Sequence, residues 1–379
     1  MRRSAFSERI DKIYGIMEEQ GIGSFIITPS SDMKYTCGYS IKGDERLLCL
    51  VLSPGHEPFI LANALYELQV RETPVEDFVF WSDGGDPISM LKAEMSGRGI
   101  FNDRGSGKSS AKIAVDAAMP ARFLVGIANA FEGASIINGS PLLDPLRVFK
   151  DEEELQAMRE AAVLGEEALK AAIEKGEYWI GRKETDFLAD FIKELTCRGI
   201  SDAGGIVAAG ENAAVPHHHS GSSTIEWGKC LLIDFAGTWK NYNTDMTRTY
   251  FFGEPDEHFK EVYRIVLEAN LAGEKAAVAG NTLGDVDAAA REVIESYGYG
   301  KYFTHRTGHG IGIDCHEGPS AGKGEKTLIR PGMVFSCEPG IYLPGRFGIR
   351  IEDLCMINAD GSTSILQKLP KELTCINRN

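Results

Sequence analysis

The sequence predicts two domains, an α/β domain over residues 1–147 followed by an α+β domain over 148–379 built around an internal repeat. Three observations lead there. Helical patterns alternate with short apolar runs through the first 145 residues, a loop-rich segment interrupts that pattern at 138–146, and the remaining chain repeats itself at an offset of about 100 positions.

The first helix is read from MRRSAFSERIDKIYGIMEEQ, where Phe6, Ile10, Ile13 and Met17 recur at helical spacing. Charges at Glu8, Arg9, Asp11 and Lys12 interrupt the apolar run that a signal peptide needs. Short strands follow at SFIIT, LLCLVL (47–52), PFIL (58–61), DFVFW (77–81) and KIAVD (112–116), apolar enough for a largely buried sheet. The loop signals of NGSPLLDPL (138–146) then give way to RVFKDEEELQAMREAAVLGEEALKAAIEKGEYW, whose acidic first turn and apolar spacing open a long helix. The domain boundary falls there.

The repeat begins with that helix. Leu155, Met158, Ala162, Leu169 and Ala172 share one face of it, and Phe259, Val262, Val266, Gly273 and Ala276 take the matching places of a helix starting near 256, each 104 positions later. Gly181 and Asp186 open a second helix in one half, Gly280 and Asp285 in the other, and each is followed by β-type runs that carry acids. Asp234 ends CLLID and Glu338 follows VFSC, again 104 apart.

A formal charge of −15 repels phosphate backbones and anionic lipid surfaces, so neither nucleic acid nor membrane is an expected partner. No segment approaches the ~20 consecutive apolar residues that cross a bilayer. The eight cysteines form no CxxC pair and are far too sparse for a disulfide scaffold, which fits a reduced, cytoplasmic protein.

Carboxylates among apolar strand residues are the informative anomaly, because a charge there is costly unless it is paired or holds a cation. Four occur: Asp234 in CLLIDFAG, Asp245 in YNTDMTRTY, Glu338 in VFSCEPGIY and Glu352 in GIRIEDLCMI, two from each half of the repeat. If the halves face one another, the four converge. A fifth donor is His309, in HRTGHGIGIDCHEG, where Gly308, Gly310 and Gly312 permit close backbone approach. Oxygen-rich, with one imidazole and no thiolate in the set, this site suits Mn²⁺ first, with Co²⁺ or Zn²⁺ as alternatives. Four carboxylates exceed the charge of one divalent ion, which favours two ions about 3.5–4 Å apart, bridged by carboxylates and a hydroxide. The bland alternative for any one of these acids is an ion pair, such as Glu352 with Arg350 two residues before it.

These strings, with AAVPHHHS, YNTDMTRT, GHGIGIDCHEGP, CEPGIY and GIRIEDL, resemble the pita-bread metallopeptidases of the Xaa-Pro dipeptidase (prolidase) and Xaa-Pro aminopeptidase type. The resemblance covers most of the chain, including an N-terminal domain of the creatinase/prolidase kind. It implies a pita-bread C-terminal domain with a pseudo-two-fold repeat, a homodimer, and metal-dependent hydrolysis of the bond between an N-terminal residue and proline in a di- or oligopeptide. The family order Asp, Asp, His, Glu, Glu falls on Asp234, Asp245, His309, Glu338 and Glu352. On that likeness Asp245 and Glu352 bridge two ions, Asp234 holds one, and His309 and Glu338 complete the other, with Glu338 as general base toward a bridging hydroxide. His316 and His217 would contact substrate and tetrahedral intermediate, His305 would be a further active-site histidine, and Arg350 would orient a metal-bound carboxylate. Of the run His217, His218, His219 only the first matches, because neighbours in extended chain point to opposite sides; His218 and His219 are expected to line the pocket or face solvent.

Several local matches are decoys. GPSAG (318–322) fits GxSxG without the strand–turn–helix setting that motif needs. DRGSGKSS (103–110) ends like a phosphate loop but has Asn102 where its first glycine belongs, His316-Glu317 lacks the second histidine of HExxH, and GHGIG lacks a dinucleotide fingerprint's spacing. Two other functions stand against the peptidase: a non-catalytic pita-bread binding protein, and a creatinase-like amidinohydrolase that works without metal. A single-domain methionine aminopeptidase leaves the first 145 residues without a role.

Overall fold

The computed structural model describes residues 3–39, 42–101 and 112–378, so the phosphate-loop decoy at 103–110 lies outside the described residues. The chain divides into two compact units, Met1–Arg147 and Val148–Asn379.

In the first unit, α1 (Arg3–Gln20) buries Ile10, Ile13 and Met17, the stripe its periodicity marks. Strands β1 (Ser24–Ile27), β2 (Cys49–Leu52), β3 (Phe59–Asn63), β4 (Asp77–Trp81), β5 (Lys112–Val115) and β6 (Ser135–Asn138) form one sheet in the order β4-β3-β2-β1-β5-β6. The β1–β2 and β2–β3 pairs are antiparallel and the other three parallel. Helices α2 (Ser31–Cys37), α3 (Glu67–Val70), α4 (Pro87–Gly97), α5 (Ala121–Ala130) and α6 (Asp144–Arg147) connect or follow these strands. The three central strands β1, β2 and β3 are buried along their whole length, as their unbroken apolar runs require.

The second unit shows the expected repeat. Helix α7 (Glu152–Ile173), started by a capping box between Asp151 and Glu154, precedes α8 (Glu184–Cys197) and then β7 (Ser201–Ala209), β8 (Lys229–Trp239) and β9 (Tyr242–Phe252). Helix α9 (Glu257–Ala276), capped by Asp256, precedes α10 (Leu283–Ser296) and the strands β10 (Gly308–Gly310), β11 (Glu317–Ala321), β12 (Val334–Cys337), β13 (Gly340–Leu343), β14 (Phe347–Arg350), β15 (Asp353–Ile357) and β16 (Thr363–Ile365). A last strand, β17 (Cys375–Ile376), returns to pair in parallel with β9. The sheets run β17-β9-β8-β7, β11-β10-β12-β15-β16 and β13-β14.

Each long helix meets its sheet at a glycine. A Cβ on Gly165 would stand 2.9 Å from the Phe235 ring, and one on Gly273 would stand 2.6 Å from Cys337 Sγ. Phe235 follows Asp234 and Cys337 precedes Glu338, so both close approaches support a residue beside a candidate ligand. Aromatic packing of Trp179, Phe187, Phe191, Phe235 and Phe252 fills one core, while Phe259, Val262, Val266, Ile294 and Ile349 belong to another. No described helix is long and apolar enough to cross a membrane.

Candidate metal centre

Strand register places the first two acids. Asp234 lies opposite Thr247 and Ala236 opposite Asp245 in the β8–β9 ladder. Opposed residues share a face, and so do residues two apart on one strand, which puts Asp234, Asp245 and Thr247 on the same side of the sheet. The other three come from a short, irregular strand and from strand ends. His309 sits at a register shift in β10, Glu338 follows β12, and Glu352 occupies the gap between β14 and β15, where its amide donates to Thr247 O at 3.1 Å. Thr247 also donates its hydroxyl to Glu352 Oε2 at 2.7 Å, joining the two halves of the repeat.

All five line one cavity of about 570 Å³, together with His217, His305, Arg306, Cys315, His316 and Arg350. Asp234, Asp245 and Glu352 offer ligand atoms within 4.8 Å of one another, as do His309, Glu338 and Glu352, and a third such set is Asp245, His309 and His316. Glu352, Asp245 and His309 each belong to two sets. His309 Nδ1 donates to Gly310 O at 3.0 Å, which leaves the Nε2 lone pair facing Glu338 Oε1 at 3.4 Å and Asp245 Oδ2 at 3.7 Å.

Crowding sets the electrostatics. Burial, then the Asp234 charge, pushes the Asp245 carboxyl well above its ordinary range, and burial followed by Asp245 does the same to Glu352. Burial raises Glu338 to about 7, and lowers His309 to about 4. Glu352 Oε1 is buried with no hydrogen-bond partner among the described residues. An orphaned carboxylate oxygen amid three more carboxylates and a neutral imidazole fits a hard or borderline divalent cation.

The surrounding residues divide by how firmly they are held. Arg350 donates to Asp234 Oδ2 at 2.6 Å, to Tyr342 Oη at 2.7 Å and to Thr247 Oγ1 at 3.1 Å. It therefore does not form the isolated pair with Glu352 weighed as the bland alternative; Arg350 ends β14 while Glu352 lies beyond it, out of the strand. Both ring nitrogens of His305 are engaged, Nδ1 with Arg306 O at 2.7 Å and Nε2 with Tyr342 Oη at 2.8 Å. The His316 ring packs edge-on against His309 with centroids 4.1 Å apart. His217 is exposed to the cavity and its ring makes no hydrogen bond among the described residues.

His218 departs from the expectation that it lines the pocket or faces solvent. Its Nε2 lies 2.9 Å from Glu184 Oε2, and fully buried Glu184 also accepts from Ala209 N, Asn212 Nδ2 and Gly221 N, each at 2.8 Å. One carboxylate thus ties down the segment that carries His217. His219 is exposed. GPSAG forms β11 rather than a nucleophile elbow.

Sequence reasoning missed several neighbours. Cys315 donates its thiol to Asp245 Oδ2 at 3.1 Å, so a cysteine does adjoin the site; burial raises its pKa, keeping it a thiol. Ser336 donates to Glu338 Oε1 at 3.2 Å and accepts from His309 N. Thr247 was within reach of reasoning, two positions after Asp245 on the same face; Tyr342, Ser336 and Cys315 give no such signal. Behind Glu352, Arg248 donates to Glu352 O and Asp353 Oδ1, both at 2.7 Å, and to Leu369 O and Pro370 O. Lys371 Nζ lies 2.9 Å from Asp353 Oδ2.

Residues 156–359 match metallopeptidase family M24, more than half of the chain, and residues 9–149 match the creatinase/prolidase N-terminal domain. The chain belongs to metallopeptidase family M24. This M24 chain is 33% identical over 383 residues to the probable dipeptidase PepE of Mycobacterium tuberculosis, covering 98% of this chain and 96% of that one. It is 30% identical to the Xaa-Pro dipeptidase of Pyrococcus horikoshii, with 97% and 99% covered. The crystal structure of recombinant prolidase from Thermococcus sibiricus superposes with a TM-score of 0.90 at 33% identity, covering 98% of this chain and 99% of that chain. An M24 enzyme is a metal-dependent hydrolase, and its site here offers the donors such a metal needs.

Proposed function

We propose that the chain hydrolyses the peptide bond preceding proline in Xaa-Pro substrates, with two divalent ions, Mn²⁺ first among them, held by Asp234, Asp245, His309, Glu338 and Glu352. The observation that carries this is the convergence of four carboxylates and one imidazole on a single cavity, with a buried oxygen of Glu352 left for a cation. Full-length similarity to an Xaa-Pro dipeptidase supports the substrate class. Asp245, Glu352 and His309 are each shared between two ligand sets, and of these the two carboxylates, with two oxygens apiece, are suited to bridge; Asp234 would serve one ion, His309 and Glu338 the other.

When bound, the ions supply Lewis acidity and water acidified enough to furnish a nucleophile near neutral pH. The chain does the rest. Glu338, poised near pH 7 in the metal-free site and only partly buried, takes the proton from water and returns it to the leaving proline nitrogen. His217 and His316, both exposed to the cavity, donate to the oxygen on which charge develops. Arg350 fixes Asp234, and through Tyr342 it fixes neutral His305, which lines the cavity as a positioning group. Residues 1–147 and 148–379 act as separate domains of a homodimer in this reading.

The test measures Xaa-Pro hydrolysis before and after chelation, with Mn²⁺, Co²⁺ or Zn²⁺ restored, alongside elemental analysis. Activity that vanishes with chelator and returns with metal supports the proposal. Activity indifferent to chelator, with a guanidino substrate turned over instead, assigns the creatinase-like alternative.

A further inference from the structure

Glu338 stands just past the end of a strand. The β12–β15 ladder ends with Cys337 opposite Asp353, one residue short of it, and Pro339 next in the chain confines its backbone to extended conformations. Its amide donates across to Thr307 O at 2.7 Å, in the connection before β10. Where Glu338 sits therefore depends on where Thr307 sits.

Thr307 is buried and held from behind. Asp287 of α10, 1% exposed, accepts on Oδ1 from Thr307 N at 3.1 Å and from Thr307 Oγ1 at 2.8 Å. Arg291, one helical turn further on, grips both carboxylate oxygens, Nη2 to Oδ1 at 2.9 Å and Nε to Oδ2 at 3.0 Å. The same guanidinium donates to Phe303 O at 3.1 Å and to His305 O at 2.9 Å, and lies over the Phe303 ring. Burial pushes the Asp287 carboxyl up, but Arg291 and Thr307 outweigh it and hold the group below its ordinary value, so it stays ionised. Neither Asp287 nor Arg291 lines the cavity. A buried ion pair adds little net stability, because desolvation offsets its attraction; a bidentate pair does fix a geometry. The other half of the repeat has a counterpart, since Glu184 of α8 holds the segment that carries His217. Each second helix thus lends one buried carboxylate to a segment of the site.

Resting on the reading of Glu338 as general base, we propose that Asp287 and Arg291 are positioning residues for the proton transfer: they fix Thr307, and the Thr307 carbonyl fixes Glu338. A misplacement of about 1 Å in a reacting group can lower a rate roughly 10²-fold, so a clamp outside the cavity can govern turnover without touching substrate.

The experiment measures kcat and KM for Ala-Pro under saturating Mn²⁺, and Mn²⁺ affinity by calorimetry, in the wild type, Asp287→Asn, Glu338→Gln and the double variant. Asp287→Asn should lower kcat roughly 10- to 100-fold while KM moves by less than about threefold, and one Mn²⁺ should bind roughly 10-fold more weakly. In the Glu338→Gln background the same change should lower kcat by less than about threefold, because the group being positioned is gone. Should Asp287→Asn fail to fold, Thr307→Val keeps the Asp287–Arg291 pair and loses one hydroxyl bond; it should lower kcat about 3- to 10-fold, and Thr307→Ser should restore it. Losses that multiply in the double variant, wild-type kcat and Mn²⁺ affinity in Asp287→Asn, or wild-type kcat in Thr307→Val overturns the positioning role and leaves the Xaa-Pro reading in place. A wild type inert toward Ala-Pro, or a Glu338→Gln variant as active as the wild type, overturns the reading beneath it as well.

Discussion

Between Lys229 and Phe252 the chain runs as two 11-residue strands in unbroken register, whereas between Gly308 and Ile357 it is cut into six strands of three to five residues, with a register shift at His309/Gly310. Both stretches follow the same pair of helices, so the second unit holds one plan executed twice, once smoothly and once broken. The smooth half sets two carboxylates on one face by strand period alone. The broken half presents His309 from the middle of a three-residue strand, and His305, Arg306, His316, Glu338, Arg350 and Glu352 from strand ends and connections, where side chains can approach a common point from several directions. Regularity supplies the floor of the site, and irregularity supplies its chemistry.

The sharpest way to test that division is to change one acid of the broken half. Glu338→Gln should lower kcat by about 10²–10⁴-fold, the usual worth of a general acid–base, with the far-ultraviolet circular dichroism unaltered. Activity equal to wild type would remove Glu338 from its assigned role. A disturbance in the smooth half should show in stability first. Glu184→Ala removes a buried carboxylate that accepts four hydrogen bonds and should cost about 3 kcal/mol in denaturant titration, with KM rising as the His217 segment loosens. The two helix glycines give a matched pair: Gly165→Ala and Gly273→Ala should each cost about 1–3 kcal/mol by overpacking. Thermal melts of the two should fall together if the halves are equally tight, and Gly273→Ala should also weaken metal binding if Glu338 depends on its helix.

The smallest effect is on pH dependence, and its sign differs between the halves. Burial pushes the Glu184 carboxyl up, but its donors outweigh that and hold it below the ordinary value. Its contribution is therefore present above the unfolded pKa and is lost as pH falls through the lower folded one. Glu338 is raised to about 7, so in the metal-free protein its contribution is present below the unfolded pKa and is lost as pH rises through about 7. Metal-free melting temperature should decline from pH 6 to pH 8, and Mn²⁺ should abolish that decline. Glu184→Gln should flatten the acid limb only.

Legibility followed the same divide. Asp234, Asp245, Glu338 and Glu352 stood out because charge amid apolar strand residues is an anomaly readable one residue at a time, and the duplicated helices were readable from period. Glu184 was not, since a glutamate opening a helix is ordinary until a loop some 30 residues on folds back over it. His218 was misplaced for the same reason: alternation predicts which way a side chain points, and says nothing of what waits there. Arg306 and Cys315 owe their places to connections between short strands, and Tyr342 to a short two-stranded ladder, none of which carries a periodic signature.

Arg248 holds the Glu352 carbonyl with one nitrogen and the Leu369 and Pro370 carbonyls with others, while Lys371 grips Asp353. Leu369, Pro370 and Lys371 thereby act as a hasp behind Glu352. A proteolytic nick near Lys368, far from the cavity along the chain, should slacken Glu352 and release cation before it unfolds anything, making metal retention a sensitive gauge of an intact carboxyl-terminal tail.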